Sequence, residues 1–295
     1  MIDIKYLDFV VAIDENDGMN VAFLSWKGKT LIDGDVERKA KGLTYGMPLM
    51  FPTPNRTKNN QYTYNNKQYG ARMHGLLRNL YFEITCNCQT KDGYMVTGVL
   101  TWNSSYAEFE KYPFEFTLTI RIIIQHDVLI YEYDVQNIGE TTLPYGFGIH
   151  PFFENPDGDA KVMIKANQML AASESINTGE ILDVKGTEYD LSKLKRVKSL
   201  NLDHVYMVNK TKDKIQEVAR VHWHAHELIL SCTDDFSHLV IYTPQNLAKF
   251  CVEPQTCSID AFNLFNKGLL EISGVKEVSK QKRQSGRVKF EMKML

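Results

Sequence analysis

The 295-residue sequence predicts an all-β domain, either a sandwich or a large barrel. Short runs of β-branched and aromatic residues recur along the chain, and turn-forming residues separate them. No window of helical length carries a sustained apolar stripe at i, i+3 and i+4 spacing. Because the sequence also lacks internal repeats, low-complexity tracts and flexible linkers, we expect residues 1–295 to form a single domain.

The predicted strands are spread over the whole chain. They lie at 4–13, 19–26, 94–102, 114–125, 127–139, 238–244 and 287–295. The runs 114–125 and 127–139 are close enough to pair as a hairpin, and Asp17-Gly18 favours a turn after the first run. Residues 187–197, TEYDLSKLKRV, are the best candidate for a helix, and this segment is short.

The composition is ordinary for a soluble protein, with 43% hydrophobic and 24% charged residues. The formal net charge of −2 gives no reason to expect a nucleic acid or an anionic membrane as partner, since either favours a basic excess. No apolar run approaches the roughly 20 residues of a membrane helix. The first residues lack signal-peptide features, and an odd count of five cysteines does not suggest a disulfide scaffold. We therefore expect a cytoplasmic protein.

Residues 222–226, HWHAH, are the main candidate for a metal site. On a regular strand His222, His224 and His226 would share one face, and three imidazoles could bind zinc or another transition metal. The ordinary interpretation is a solvent-facing polar stripe, with Trp223 and Ala225 turned toward the core. A metal-dependent enzyme built on this motif stays an alternative, although a buried metal site would also need supporting groups around its ligands.

Cys86 and Cys88 are a weaker metal candidate. Their spacing on a strand would place both thiols on one face. A structural zinc site normally has four ligands, and no second cysteine pair lies at a suitable spacing. We therefore assign no metal ligand here.

Five short segments carry the side chains that could do chemistry. They are NRTKNNQYTYNNKQY (55–69) with Arg56, RMHGLLRN (72–79) with His74 and Arg78, YGFGIHPFF (145–153) with His150, LDHVY (202–206) with Asp203, and LAKFCVEPQT (247–256) with Glu253. Each segment alone has a structural explanation, because a lone histidine in an apolar run is usually a core residue. In this order and at these separations, the set resembles the aldose 1-epimerase (galactose mutarotase) family, and HPFF and EPQT are its most specific parts.

The resemblance implies a large antiparallel β-sandwich, the galactose mutarotase-like supersandwich, and a cofactor-free isomerase. Such an enzyme interconverts the α and β anomers of a hexose by opening and closing the ring. By resemblance, Glu253 would remove the proton of the C1 hydroxyl and His150 would protonate the ring oxygen. Their ordinary pKa values of about 4.3 and about 6.5 suit these roles at neutral pH. We expect the neighbouring carboxylate to hold His150 more protonated.

Other residues would hold the sugar. By resemblance, Arg56, His74 and Asp203 would hydrogen-bond its hydroxyls and ring oxygen. Sugar sites also favour an aromatic platform, for which the candidates are Phe152, Phe153 and Tyr242.

The segment HGLLRN departs from the galactose-type pattern and is similar to the H-G-x-x-R of hexose-6-phosphate mutarotases. In that branch two arginines clamp the phosphate, and Arg56 and Arg78 would form this bidentate anion site. The alternative is that Arg78 pairs with a nearby acid such as Glu83. A hexose-6-phosphate 1-epimerase and a non-catalytic carbohydrate-binding or sensing protein therefore stay open beside the free-sugar epimerase. Long edge strands would permit a homodimer, which nothing in the sequence specifies.

Overall fold

Antiparallel β-strands dominate the structure, a computed structural model that describes residues 1–209, 211 and 214–295. The strands of the first half, in chain order, are β1 Ile2–Tyr6, β2 Phe9–Asp14, β3 Asn20–Trp26, β4 Lys29–Ile32, β5 Leu49–Met50, β6 Gln61–Tyr64, β7 Lys67–Gly70, β8 Glu83–Thr90, β9 Gly93–Trp102, β10 Phe116–Gln125, β11 Val128–Asn137, β12 Leu143–Tyr145 and β13 Gly148–Ile149. Those that follow are β14 Phe152–Glu154, β15 Lys161–Ile164, β16 Gln168–Ser173, β17 Ile176–Asp183, β18 Lys195–Arg196, β19 Asp203–Met207, β20 Ile215–His222, β21 His226–Thr233, β22 His238–Tyr242, β23 Lys249–Gln255, β24 Lys276–Val278 and β25 Arg283–Met294. Short α-helices lie at α1 Val36–Ala40, α2 Ala261–Asn266 and α3 Leu270–Ser273.

Two large sheets form the sandwich. One has nine strands in the order β18-β15-β20-β21-β25-β11-β10-β9-β8. The other has eight, in the order β17-β16-β19-β22-β23-β13-β5, with β14 also paired to β23. A four-stranded sheet, β1-β2-β3-β4, and the pairs β12-β24 and β6-β7 complete the described strands. The prediction of an all-β antiparallel sandwich is thus confirmed.

The core lies between the two large sheets because their strands turn alternate side chains inward. In β10 every second residue from Phe116 to Ile124 is buried, and the residues between them are partly exposed. Aromatic rings connect the layers: Phe153 of β14 contacts Phe290 of β25, and Tyr133 of β11 stacks on Phe147 at a centroid distance of 4.1 Å. The large apolar cluster at this interface holds the eight-stranded sheet, with β13, β14 and β23, against the nine-stranded sheet.

The predicted strands correspond to β3, β9, β10, β11, β22 and β25, whereas two other predictions need correction. The run 4–13 is a tight hairpin, since Tyr6 pairs with Phe9. The helix predicted over 187–197 is wrong, because this segment consists of turns followed by β18 and a short 3₁₀ turn. Asp190 accepts hydrogen bonds from the backbone N–H groups of Gly186 and Ser192, and such local bonds compete with helix formation.

The HWHAH segment is a turn and not a regular strand. β20 ends at His222 and β21 begins at His226, and the N–H of Trp223 donates to the carbonyl of His226. The predicted common face of the three histidines is therefore wrong. His222 pairs with Glu227, His224 is exposed, and the His226 ring stacks on Trp223.

No helix in the described ranges has the length and apolar character that a membrane crossing requires.

Candidate active site

The pairing of β23 with β13 and β14 brings His150 and Glu253 together. Gly148 pairs with Gln255 and Phe152 pairs with Cys251, so the same register places His150 directly opposite Glu253. The N–H of His150 donates to Pro48 on the other side of its strand. Toward β23 the two residues are thus a non-hydrogen-bonded pair, the arrangement in which opposed side chains come closest.

The resulting contact is short and shielded from water. His150 Nε2 lies 3.3 Å from Glu253 Oε1, and the side chains are 6% and 1% exposed. Glu253 Oε2 also accepts a hydrogen bond of 3.1 Å from Gln255 Nε2. A base and an acid therefore share one enclosed position, which is the geometry that coupled proton transfer requires.

Burial moves the pKa values of these two groups in opposite directions. It raises the pKa of the Glu253 carboxyl well above its usual value, and the nearby Asp203 adds to the effect. It lowers the pKa of His150 well below its usual value, and the positive charges of Arg78 and Arg38 act in the same direction. The expectation that the carboxylate holds His150 more protonated is therefore wrong, because burial dominates the His150 pKa and also disfavours the charged form of Glu253.

Three buried polar atoms around the pair lack hydrogen-bond partners in the described structure. They are Asn55 Nδ2, His150 Nδ1 and Gln255 Oε1. Asn55 also lowers the pKa of Glu253, so its amide faces the carboxylate. Unpaired buried polar groups are costly, and a cluster of them indicates a place where a polar ligand supplies the missing bonds. Neither Asn55 nor Gln255 was predicted from the sequence, although both flank predicted residues.

Arg56 and Asp203 lie together at the edge of the same site. Arg56 Nη1 is 3.1 Å from Asp203 Oδ2, and each side chain is about one-third exposed. In the strand register Asp203 lies opposite Tyr242, and Tyr242 lies opposite Cys251. Cys251 and Glu253 are two residues apart on β23 and share one face, so Asp203 lies on the sheet face of Glu253. The structure thus brings these two predicted residues next to the catalytic candidates.

His74 packs against His150 from a separate loop. The ring centroids are 5.2 Å apart and nearly perpendicular, and His74 Nδ1 contacts the Met50 sulfur at 3.2 Å. Burial, aided by the charges of Arg78 and Arg56, lowers the pKa of His74 to about 3. His74 is therefore neutral at physiological pH and can either donate or accept one hydrogen bond.

Gly75 allows this loop to approach β5. Its φ of +83° is the left-handed region, and a Cβ there would lie 2.1 Å from the carbonyl oxygen of Phe51. The N–H of Leu76 donates to that same carbonyl, and the N–H of His74 donates to Asn55. The glycine of the HG motif is thus required for the position of His74.

Arg78 lies beside a polar cavity of about 440 Å³ that Asp14, Asp17, Lys39 and Tyr45 also line. Among the described residues its guanidinium makes no ion pair, and the nearby acid whose charge acts on it is Asp17 and not the predicted Glu83. Its charge lowers the pKa of both His74 and His150, which places it close to the site. The predicted bidentate clamp with Arg56 is not assembled, since Arg56 is bound to Asp203.

A third guanidinium, on Arg38 of α1, also lies near His150 and was not predicted from the sequence. It lies 5.0 Å from the centre of the Phe152 ring, and its Nε donates to the carbonyl of Thr44 at 2.7 Å. Phe152 in turn stacks on His150 at 4.5 Å. An arginine in the short segment VERKA gives no sequence signal for this position.

The three aromatic candidates for a sugar platform separate clearly. Phe152 stacks on His150, and the Tyr242 ring lies 6.4 Å from the same imidazole at a near-perpendicular angle. Phe153 instead points into the core, where it contacts Trp223, Phe250 and Phe290. Tyr242 is partly exposed and can thus contact a ligand's apolar face, whereas Phe152 is buried between His150 and Arg38, and Phe153 supports the sheet.

The site also contains a set of three groups able to ligate a metal ion. Ligand atoms of His150, Cys251 and Glu253 lie within 4.8 Å of one another, and all three residues are buried. Burial raises the pKa of the Cys251 thiol well above its usual value. Since thiolates and not thiols are the ligand form, a metal ion bound here would have to displace the Cys251 proton.

The chain resembles known proteins in both sequence and structure. A family model described as aldose 1-epimerase matches residues 23–270. The uncharacterized protein YihR of Escherichia coli strain K12 is 26% identical over 230 residues, which cover 73% of this chain and 71% of YihR.

Two solved structures share the fold over nearly their full lengths. A galactose mutarotase-like protein from Clostridium acetobutylicum has a TM-score of 0.86 at 20% identity, covering 99% of this chain and 95% of that one. A GalM/aldose epimerase homologue from C. elegans has a TM-score of 0.82 at 15% identity, covering 100% and 98%. Because the family match spans most of the sequence, the chain belongs to the aldose 1-epimerase family.

Proposed function

We propose that this protein is an aldose 1-epimerase that interconverts the α and β anomers of a hexose. The observation that carries the proposal is the buried contact between His150 Nε2 and Glu253 Oε1 at 3.3 Å. The C1 hydroxyl and the ring oxygen of an aldose are both bonded to C1, so two groups 3.3 Å apart can serve both atoms. The resemblance to mutarotase-like proteins supports the same assignment.

In this mechanism the pair works with one mobile proton. Glu253 takes the proton of the C1 hydroxyl while His150 gives one to the ring oxygen, and the bond between C1 and the ring oxygen breaks. Rotation about the C1–C2 bond exposes the other face of the aldehyde, and the same groups act in reverse. The directions of the two pKa shifts favour the pair's single proton on Glu253 at rest, so the reactive form arises when this proton passes to His150 across the 3.3 Å contact. In that form the Glu253 carboxylate is a strong base and protonated His150 is a strong acid.

The remaining groups bind and orient the sugar. Asn55, Gln255 and neutral His74 offer hydrogen bonds close to the pair, and Arg56 with Asp203 offers them at its rim. Orientation of this kind contributes strongly to rate when the reacting atoms are held in place.

Polarimetry tests the proposal directly. Freshly dissolved α-glucose and α-galactose are followed with and without the protein, and faster equilibration of either sugar is expected. A purified protein that binds these sugars without accelerating either one would instead be a non-catalytic binding or sensing protein.

A sugar phosphate is the second candidate, and Arg78 favours it. This partly buried guanidinium has no ion-pair partner in the described part of the chain and borders a cavity of about 440 Å³. An anionic group of the substrate in this cavity would give Arg78 an ion-pair partner, whereas a neutral hexose would not require the Arg78 charge.

The matched variants Arg78→Gln and Arg121→Gln test this second candidate. Arg121 lies on β10 of the nine-stranded sheet and is already paired with Glu132 at 3.0 Å. If the substrate is phosphorylated, Arg78→Gln lowers kcat/KM for glucose 6-phosphate far more than that for glucose, while Arg121→Gln alters neither. Equal effects of Arg78→Gln on both sugars would rule out a phosphate-binding role.

A further inference from the structure

The thiols of Cys86 and Cys88 lie side by side on β8, away from the catalytic pair. The residues are two apart on an extended strand and therefore share one face. Their sulfur atoms are 2.7 Å apart. A disulfide bond has a length of about 2.05 Å, so the two atoms need only a small further approach to bond.

These two thiols are also the accessible ones. Cys88 is exposed and Cys86 is half-buried, whereas Cys232, Cys251 and Cys257 are buried. β8 forms one edge of the nine-stranded sheet, so its outer side has no strand neighbour among the described residues. Its pairing with β9 is irregular between Ile84 and Cys86, and such a bulge lets a strand bend locally. A reagent in solution can therefore reach this pair, and the strand can adjust to a new bond.

A bond between these residues would be easily reversed. Alternate residues of a strand have Cα atoms about 6.6 Å apart, from a rise of about 3.3 Å per residue. This separation is near the upper end of the range for bridged cysteines, about 4.4–6.8 Å. Disulfides formed at such limits are the more easily reduced ones. The bond would also close a very short loop, so it would constrain the unfolded chain little and would stabilise the fold little.

We propose that Cys86 and Cys88 are a reversible redox site that a low-molecular-weight disulfide oxidises to an intramolecular disulfide. The Cys88 thiolate attacks one sulfur of the reagent, which forms a mixed disulfide and releases one thiol. The Cys86 thiolate then attacks the Cys88 sulfur and releases the second thiol. The protein loses two electrons and two protons, and the reagent gains them. Cys88 acts first because it is the more exposed of the two. The hydrogen bond between the two thiols also raises the pKa of Cys86, which makes Cys86 the less ready to form a thiolate.

Oxidised glutathione and intact-mass measurement test the proposal on the folded full chain. The wild-type protein is expected to lose two hydrogen atoms and to carry no glutathione, and two of its five thiols disappear from a thiol titration. Peptide mapping should locate the link between Cys86 and Cys88, and dithiothreitol should restore both thiols.

The variants Cys86→Ser and Cys88→Ser are matched controls. Each retains one thiol of the pair and cannot close the ring, so each should instead keep one glutathionyl group. Wild-type protein that keeps both thiols, carries stable glutathione adducts, or links to a second copy through these cysteines would overturn the proposal. The readout is chemical, so it is independent of whether the protein proves to be an epimerase.

Discussion

His150 and Glu253 stand opposite each other on neighbouring strands, 103 residues apart in sequence and 3.3 Å apart between Nε2 and Oε1. The register of β23 with β13 and β14 sets this distance, and the surrounding sheet excludes water from it. Two groups held in this way act as one unit. Their shared proton has a short path, and neither can titrate without affecting the other.

Replacing His150 and Glu253 together should therefore be non-additive. His150→Asn and Glu253→Gln should each lower kcat/KM by roughly 10²–10⁴-fold, the usual range for acid–base groups. The double variant should be little worse than the poorer single variant, because removing either group disables the unit. Steady-state kinetics of the three variants checks this, and fully multiplicative losses would show that the two residues act separately.

The pH dependence of kcat/KM should be bell-shaped with widely separated limbs. Activity needs one proton on the pair. At low pH a second proton removes the base, and the lowered pKa of His150 moves this limb below the usual histidine value. At high pH the last proton leaves, and the raised pKa of Glu253 moves that limb above the usual glutamate value. A pH series between these limits should show a plateau, and activity that rises as the pH falls through the usual histidine value would contradict the account.

Asp203→Asn should weaken sugar binding more than it slows chemistry. The substitution removes the charge that holds Arg56 while keeping the side-chain size, so both groups at the rim lose their fixed orientation. We expect KM to rise several-fold with a smaller change in kcat, as for a group that binds the ground state and the transition state alike. A loss confined to kcat would instead place Asp203 among the groups that act on the reacting atoms.

Gly75→Ala should destabilise the fold and displace His74. The added Cβ meets the Phe51 carbonyl at 2.1 Å, and the residue also has a positive φ. Positive φ alone costs about 1–2 kcal/mol for a non-glycine residue, and the clash adds to it. Gly42→Ala is the matched control, because Gly42 has a φ of +68° but no atom within 4 Å of the place where a Cβ would lie. Urea unfolding should give a clearly larger loss for Gly75→Ala, and equal losses would mean that the close approach is unimportant.

The sequence predicted the sandwich because its strongest signals are local. The alternation in β10 is visible in FTLTIRIIIQ, and the burial follows it residue by residue. The hairpin within 4–13 was not visible, since its turn consists of Leu7 and Asp8 and lacks the usual Asn-Gly or Asp-Gly pair. The turn inside HWHAH was hidden for a related reason, because its alternating pattern also fits a continuous strand.

The candidate site could be predicted only in part. The structure does bring together His150, Glu253, Arg56, His74 and Asp203. The motifs, however, do not indicate the register of β23 with β13 and β14, and this register places His150 opposite Glu253. The reversal of the His150 pKa direction depends chiefly on burial, and His74, Arg78 and Arg38, all distant in sequence, act in the same direction. The Arg78 charge does act on His74 and His150, yet the separation of Arg78 from Arg56 follows from the Arg56–Asp203 pair, which only the fold creates.

The measurement that tests the central claim most directly is the anomer equilibration rate of a freshly dissolved α-aldose with wild-type protein and with Glu253→Gln. The substitution keeps the shape of the side chain and removes the base. We expect the wild-type protein to accelerate equilibration and Glu253→Gln to lose most of this acceleration while remaining folded. Undiminished acceleration by Glu253→Gln would contradict the assignment of Glu253 as the base of the reaction.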